Sequence, residues 1–307
     1  MEENILKLTK YVSVLLKITN IGIIEEEDGL YVIDSGPFEK DGNELAQTLA
    51  SLFPEKKILA LINTHSHSDH AGGNAAFIKK TGAPLWAPEK DAVFLETPAF
   101  VSMFYWAGLP FAELEDDRFR SLASVKPERL ISQGKIAEGK NVIIEAVSLE
   151  GHFLSHMGFL VTDKVSGQTV LFCGDALFGR ELLNRTWIPF LTDPEEFRTS
   201  LLLIENTQAD IYVPSHGNPV KKDGIDAACE INTLVTLEDE ALILKLLSEP
   251  LSTETLIKKA LDYAGADAKI AQYIWIGVTL RSYLSSLEKR NLIEHFMKDN
   301  ILYWRKK

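Results

Sequence analysis

Asn63-Thr64-His65-Ser66-His67-Ser68-Asp69-His70 follows directly on the apolar run Ile58–Ile62. The run has the length of a buried strand, and a helix is expected to start near Gly72 and to cover Asn74–Lys80. The histidines therefore fall on a loop at the carboxyl end of a strand, where α/β proteins place their sites. Residues i and i+2 of an extended loop point to one side, so His65 and His67 can share one cation. Asp69 and His70 reach the other way and can hold a second. Imidazole and carboxylate suit zinc, iron or manganese rather than calcium. A ligand-free surface loop would gain nothing from crowding three of the chain's seven histidines into six positions.

Four residues cannot complete two metal shells, so further donors should stand at other strand ends. Three fit. His152 follows Gly151 after the strand expected at Val142–Ser148. Asp175 follows Cys173-Gly174 after Thr169–Cys173. His216 follows Pro214-Ser215 after Ile211–Val213 and precedes Gly217. Each is flanked by a glycine that lets the backbone turn sharply.

Around these motifs the pattern alternates strands and helices. Tyr11–Ile18, Ile21–Glu25 and Leu30–Asp34 read as strands, with Asp28-Gly29 as a hairpin turn. Asn43–Phe53 reads as a helix that stops before Pro54. Pro84–Ala87 and Gly158–Thr162 read as strands, and Pro194–Glu205 as a helix capped by Asp193. Residues 98–125 form a helical, aromatic-rich insert (Phe100, Met103, Phe104, Tyr105, Trp106, Phe111) that either buries against the sheet or walls the site. Beyond Asp223, helices at Ile225–Leu247, Thr253–Tyr263 and Ile270–Leu287 precede a hairpin about Lys298-Asp299-Asn300, a winged-helix-like succession. Two domains follow from this, 1–222 and 223–307.

Composition narrows the partners. Net charge is −12, with 46% hydrophobic residues and a mean hydropathy of −0.01. No apolar run reaches the ~18–20 residues that span a bilayer, and the acidic start lacks the form of a secretory signal. Two cysteines, Cys173 and Cys229, cannot build a disulfide framework. A cytoplasmic location without membrane contact is expected. From Leu251 onward 10 Lys and Arg outnumber 6 Asp and Glu, which leaves the first 250 residues at −16. That acidity weighs against a nucleic-acid substrate, and a winged helix is also a dimerisation unit, so a homodimer is open.

His65–His70, Gly151-His152, Gly174-Asp175 and Ser215-His216-Gly217 resemble the successive motifs of the metallo-β-lactamase superfamily over residues 11–220, and Asp34-Ser35-Gly36 resembles its early Asp-x-Gly turn. The resemblance implies an α/β fold, an αββα sandwich, here with a small C-terminal helical winged-helix-like domain. It implies that His65, His67 and His152 bind one metal, that Asp69, His70 and His216 bind a second, and that Asp175 bridges. Asp34 would orient the ligand loops. An aspartate at 175 resembles the glyoxalase II-like thioesterases, whereas true zinc β-lactamases usually carry cysteine there. His156 is either near the substrate or structural. Arg180 and Arg185 either hold an anionic group or form surface ion pairs.

The expected activity is metal-dependent hydrolysis of an ester-type bond in a small acyl substrate (thioester, lactone or related) by a metal-bridging hydroxide. Two divalent ions are expected, zinc first, with iron or manganese as alternatives. Asp69 is the catalytic candidate, holding the nucleophile's proton as well as a metal. The rival readings are an endoribonuclease or phosphodiesterase of the same fold, a mono-iron sulfur dioxygenase, and a non-catalytic regulatory member.

Overall fold

The computed structural model describes residues 5–115, 123–184, 186, 188–265 and 267–307. The chain begins with four antiparallel strands, β1 (Ile5–Lys7), β2 (Val12–Leu15), β3 (Ile21–Glu25) and β4 (Gly29–Ile33). Helix α1 (Glu39–Leu52) crosses to β5 (Lys57–Ile62), parallel to β4. The ligand-bearing loop follows, then α2 (Ser68–Ala71) and α3 (Asn74–Thr81). Strand β6 (Leu85–Pro88), helices α4 (Ala92–Glu96) and α5 (Ala99–Trp106), and edge strand β7 (Arg129–Ile131) complete a seven-stranded sheet in sequence order.

The second sheet runs β13-β12-β11-β10-β9-β8. Its strands are β8 (Gly134–Glu138), β9 (Val142–Ser148), β10 (Met157–Asp163), β11 (Thr169–Gly174), β12 (Ile211–Pro214) and β13 (Val220–Lys221). Between β11 and the parallel β12 lie the short α6 (Arg180–Leu183) and α7 (Pro194–Asn206). Asp193 caps α7, its carboxylate accepting from the Glu195 and Glu196 amides.

Side-chain alternation sorts these strands into layers. On β5, Ala60 and Ile62 join Val12, Ile144, Phe159 and Val170 in a core between the two sheets, whereas Leu61 turns out to Leu45, Leu49 and Phe77 of α1 and α3. On the far side Leu171 and Tyr212 pack under Phe197, Leu201 and Ile204 of α7. The result is helix, sheet, sheet, helix, with both faces of the central strands buried, so β5 reads as an unbroken apolar run.

Helix α8 (Ile225–Leu246) starts against the second sheet through Ile225 and Cys229. Strand β14 (Leu251–Ser252), helices α9 (Thr253–Tyr263) and α10 (Ile270–Lys289), and the hairpin β15 (Ile293–Lys298) and β16 (Ile301–Lys306) follow. The strands form a three-stranded sheet, β14-β16-β15. This region has its own core, including Ile243, Leu256, Leu280, Tyr283 and Ile293. Among the described residues no helix is long and apolar enough to cross a membrane.

Ion pairs tie α7, α8 and α10 together. Glu240 receives Arg198 at 3.3 Å and Arg290 at 2.5 Å. Beside it Asp239 is buried with its Oδ2 unpartnered. Burial pushes its carboxyl up to about 8, with the Tyr283 hydroxyl opposing and Glu238 adding. A carboxyl whose folded pKa is raised stabilises the fold most below its unfolded value of 3.8, and that contribution is lost as pH rises toward 8. Asp239→Asn should therefore leave Tm near wild type at pH 4.5 and raise it by a few degrees at pH 8.5. Thermal melts at the two pH values test this, and an equal shift at both would exclude the titration.

Candidate metal centre

The donors picked from the sequence converge at the carboxyl edges of the two sheets. His65, His67 and His152 form one group and Asp69, His70, Asp175 and His216 a second, each with its donor atoms within 4.8 Å of one another. His65 and His67 leave the end of β5, Asp69 and His70 lie in α2, His152 follows β9, Asp175 follows β11 and His216 follows β12.

The hydrogen bonds behind the rings decide which nitrogen faces inward. His152 Nδ1 donates to the Phe190 carbonyl at 2.8 Å and His216 Nδ1 to the Ile18 carbonyl at 2.7 Å. His70 Nδ1 donates to Asp34 Oδ2 at 2.9 Å. The Thr64 hydroxyl also gives its proton to Asp34 Oδ2, so at 3.0 Å from His65 Nδ1 it can only accept. Each of these four histidines thus turns its Nε2 toward the site, the nitrogen that ligation would use. Asp34 sustains this from a left-handed backbone, φ 63°, unusual for a residue other than glycine.

In the first group His67 Nδ1 lies 2.9 Å from His65 Nε2 and 3.0 Å from His152 Nε2. The two Nε2 atoms are lone pairs and His67 has one proton at most, so protein hydrogen bonds cannot satisfy all three. Burial, reinforced by neighbouring imidazoles, holds His65 well below its ordinary pKa, His67 at about 3 and His152 at about 4, with Asp175 opposing at His152. All three are neutral, as ligands must be.

The second group is charged. Asp175 Oδ1 lies 3.5 Å from both His70 Nε2 and His216 Nε2, and its Oδ2 lies 3.5 Å from His152 Nε2. Asp69 Oδ2 is 3.1 Å from His216 Nε2. Burial would raise both carboxyls, but His70 and His216 hold them well below the usual carboxylate range. The carboxylates in turn overcome burial and lift His70 to about 10 and His216 to about 12. His70 Nε2 and Asp175 Oδ1 are nonetheless buried without a hydrogen-bond partner. Converging lone pairs in one half and orphaned donor atoms in the other are what a pair of cations would satisfy, so the residues fit divalent metal.

Other residues position the ligand loops. His156 Nε2 accepts from the Asp175 amide at 2.9 Å, so it stands behind the site. Asp91, in the short 3-10 turn Glu89–Asp91, accepts from the Ser66 amide at 2.7 Å and the Ser155 hydroxyl at 2.9 Å. It thereby joins the loop of His65 and His67 to that of His152. Nothing in the sequence marks it, since Glu89-Lys90-Asp91 reads as any polar turn. Cys173 is buried in the core. Arg180 is exposed on α6, and Arg185 lies outside the described residues.

The aromatic insert divides its roles. Val101 and Tyr105 of α5 face the cavity over the metal centre, with the Tyr105 ring 6.4 Å from that of His67. Phe100, Met103 and Trp106 stay half-exposed, and Trp106 packs on Phe111 at 5.1 Å. Asp116, Asp117 and the rest of residues 116–122 lie outside the described residues.

Comparison with known proteins agrees with this architecture. The family model described as the metallo-beta-lactamase superfamily matches residues 15–216. Hydroxyacylglutathione hydrolase GloC of Haemophilus influenzae is 29% identical over 202 residues, 64% of this chain and 84% of that protein. A hydroxyacylglutathione hydrolase of Shewanella pealeana is 26% identical over 157 residues, 50% of this chain but only 43% of its own length. Among solved structures, a metallo-beta-lactamase family protein from Thermus thermophilus superposes with a TM-score of 0.70 at 19% identity, covering 96% of this chain and 94% of that one. A beta-lactamase domain protein from Burkholderia ambifaria gives 0.73 at 16% identity, covering 99% and 93%. At these identities the structural likeness is one of fold.

Proposed function

The chain belongs to the metallo-beta-lactamase superfamily, and from that premise we propose that it is a dinuclear metal-dependent hydrolase of an ester-type bond in a small acyl substrate. The observation that carries this reading is Asp175, whose two oxygens face opposite donor groups within one cavity. His65, His67 and His152 would hold one ion, Asp69, His70 and His216 the other, with Asp175 shared. Zinc suits the four-fold nitrogen and carboxylate set of each half. Bound there, divalent cations supply Lewis acidity and bring water's pKa close to neutrality.

The protein's own groups do the rest. Asp69 is 39% exposed at the cavity floor while its partner His216 is more enclosed, so its carboxylate is placed to hold the proton that an attacking water gives up. Burial and the charges of Asp69 and Asp91 keep the Tyr105 phenol protonated beside the ligand set. A thioester is the favoured class because the relatives named above are hydroxyacylglutathione hydrolases. The proposal also takes residues 223–307 as a separate winged-helix-like module and the cytoplasm as the location, where the buried thiols of Cys173 and Cys229 stay reduced.

Metal analysis after zinc reconstitution, with a panel of thioester, lactone and phosphodiester substrates, tests the reading. Two equivalents of metal and turnover of acyl substrates are expected. One equivalent or fewer, or turnover confined to the phosphodiester, would refute it.

A further inference from the structure

The cavity over the metal centre encloses about 690 Å3, within the range of pockets that bury a small organic molecule. Its floor is the ligand set. Its walls differ in character. Ile18 and Phe38 form one side, Val101 and Tyr105 of α5 another, and Phe190 with Trp275 of α10 a third. No lysine or arginine stands among the described residues that line it. Among the described residues these walls, above the ligand set, offer a carboxylate or ammonium no charged partner, whereas an alkyl or aryl group would gain by leaving water. Trp275 comes from beyond residue 216, outside the segment that matches the superfamily, and packs with the cluster of Phe94, Val101, Tyr105 and Phe153. The aromatic insert and the C-terminal helix thus meet over the metal centre.

We propose that the acyl half of the substrate is uncharged and predominantly apolar, a medium-length alkyl or an aryl group, and that Trp275 is the residue that sets which acyl groups are accepted. This deepens the ester-hydrolase reading above and rests on it. In the reaction the oxygen of water bonds to the acyl carbon, the carbon–sulfur bond breaks, and the thiol leaves with a proton as the carboxylic acid forms.

The experiment uses the full-length, zinc-loaded protein and thioesters of one thiol, N-acetylcysteamine, with acetyl, butyryl, hexanoyl, octanoyl, phenylacetyl and succinyl groups, beside lactoylglutathione. kcat/KM should rise by about fourfold for each methylene that the walls bury. The succinyl ester, which carries a charge into those walls, should fall at or below acetyl. Trp275→Ala should raise KM for hexanoyl and octanoyl by about tenfold or more, raise that for acetyl far less, and change kcat less than KM, with metal content at two equivalents. Trp275→Leu keeps an apolar wall and should fall between the two; it preserves the test if the alanine variant does not fold. A rate independent of acyl length, or preference for succinyl or lactoylglutathione over hexanoyl, would overturn the proposal while leaving the ester-hydrolase reading intact. No turnover of any thioester, acetyl included, by metal-replete protein would overturn both.

Discussion

Asp175→Ala should lower kcat/KM by about 10²–10³-fold or more at saturating metal, with Tm within a few degrees of wild type. The kinetic loss follows from position. Asp175 lies within 3.5 Å of imidazoles from both donor groups, through different oxygens. Without it the two halves lose their common anion, and any pair of cations there loses the charge that offsets their repulsion. The small structural effect follows from its surroundings. The carboxylate is buried, and its Oδ1 accepts no hydrogen bond, so the alanine variant gives up only its attraction to His70 and His216, a loss that bound cations in those positions offset. The backbone amide that His156 binds remains in place. Turnover under metal saturation, with calorimetry on the same samples, separates the two effects. Near wild-type rates would remove Asp175 from the reaction.

Gly151→Ala acts in the opposite way, on the fold first. Gly151 sits at φ 116°, where other residues are strained. A Cβ there would come within 2.1 Å of the Phe197 nitrogen and 2.4 Å of its Cα, backbone atoms of α7's first turns. The neighbourhood cannot give way cheaply, since the Gly151 carbonyl accepts from the Thr192 and Asp193 amides and the Ser200 hydroxyl holds the Glu150 carbonyl. Either α7 lifts off the second sheet or the chain leading to His152 moves. A loss of roughly 3 kcal/mol or more is expected, read as a lower midpoint in urea, together with loss of metal from the three-histidine group. A midpoint equal to wild type would show that the turn tolerates a side chain.

The two variants also mark what the amino-acid pattern discloses. All seven donor residues stand out in the sequence because few residue types can bind a metal and each sits beside a strand end, with glycine at Gly151, Gly174 and Gly217. The helices α7 and α9 are legible from the cap Asp193 and the apolar spacing of Thr253–Tyr263. The edge strands β1, β7 and β8 are not, because Gly134–Glu138 mixes Lys, Ile, Ala and Glu on a strand half open to water. The anchors of His152 and His216 are backbone carbonyls of Phe190 and Ile18, and a carbonyl leaves no trace in residue identity. Trp275 is hidden for another reason. It lies in a long apolar helix whose spacing reads as core, and only the packing of α10 on α5 turns it toward a cavity.

The tether between the His216 ring and the Ile18 carbonyl joins residues 198 positions apart. A chain emerging from the ribosome has the first five donors once residue 152 is out, including all of the three-histidine group, but β11 and β12, which lead to Asp175 and His216, have still to follow. Vectorial synthesis releases the early half first, so during translation the nascent polypeptide carries an unfinished set of donors that lacks Asp175 and His216. The second donor group is thereby completed only when the whole of the two-sheet body has left the exit tunnel, and the order in which the two groups are finished is written into the order of the strands.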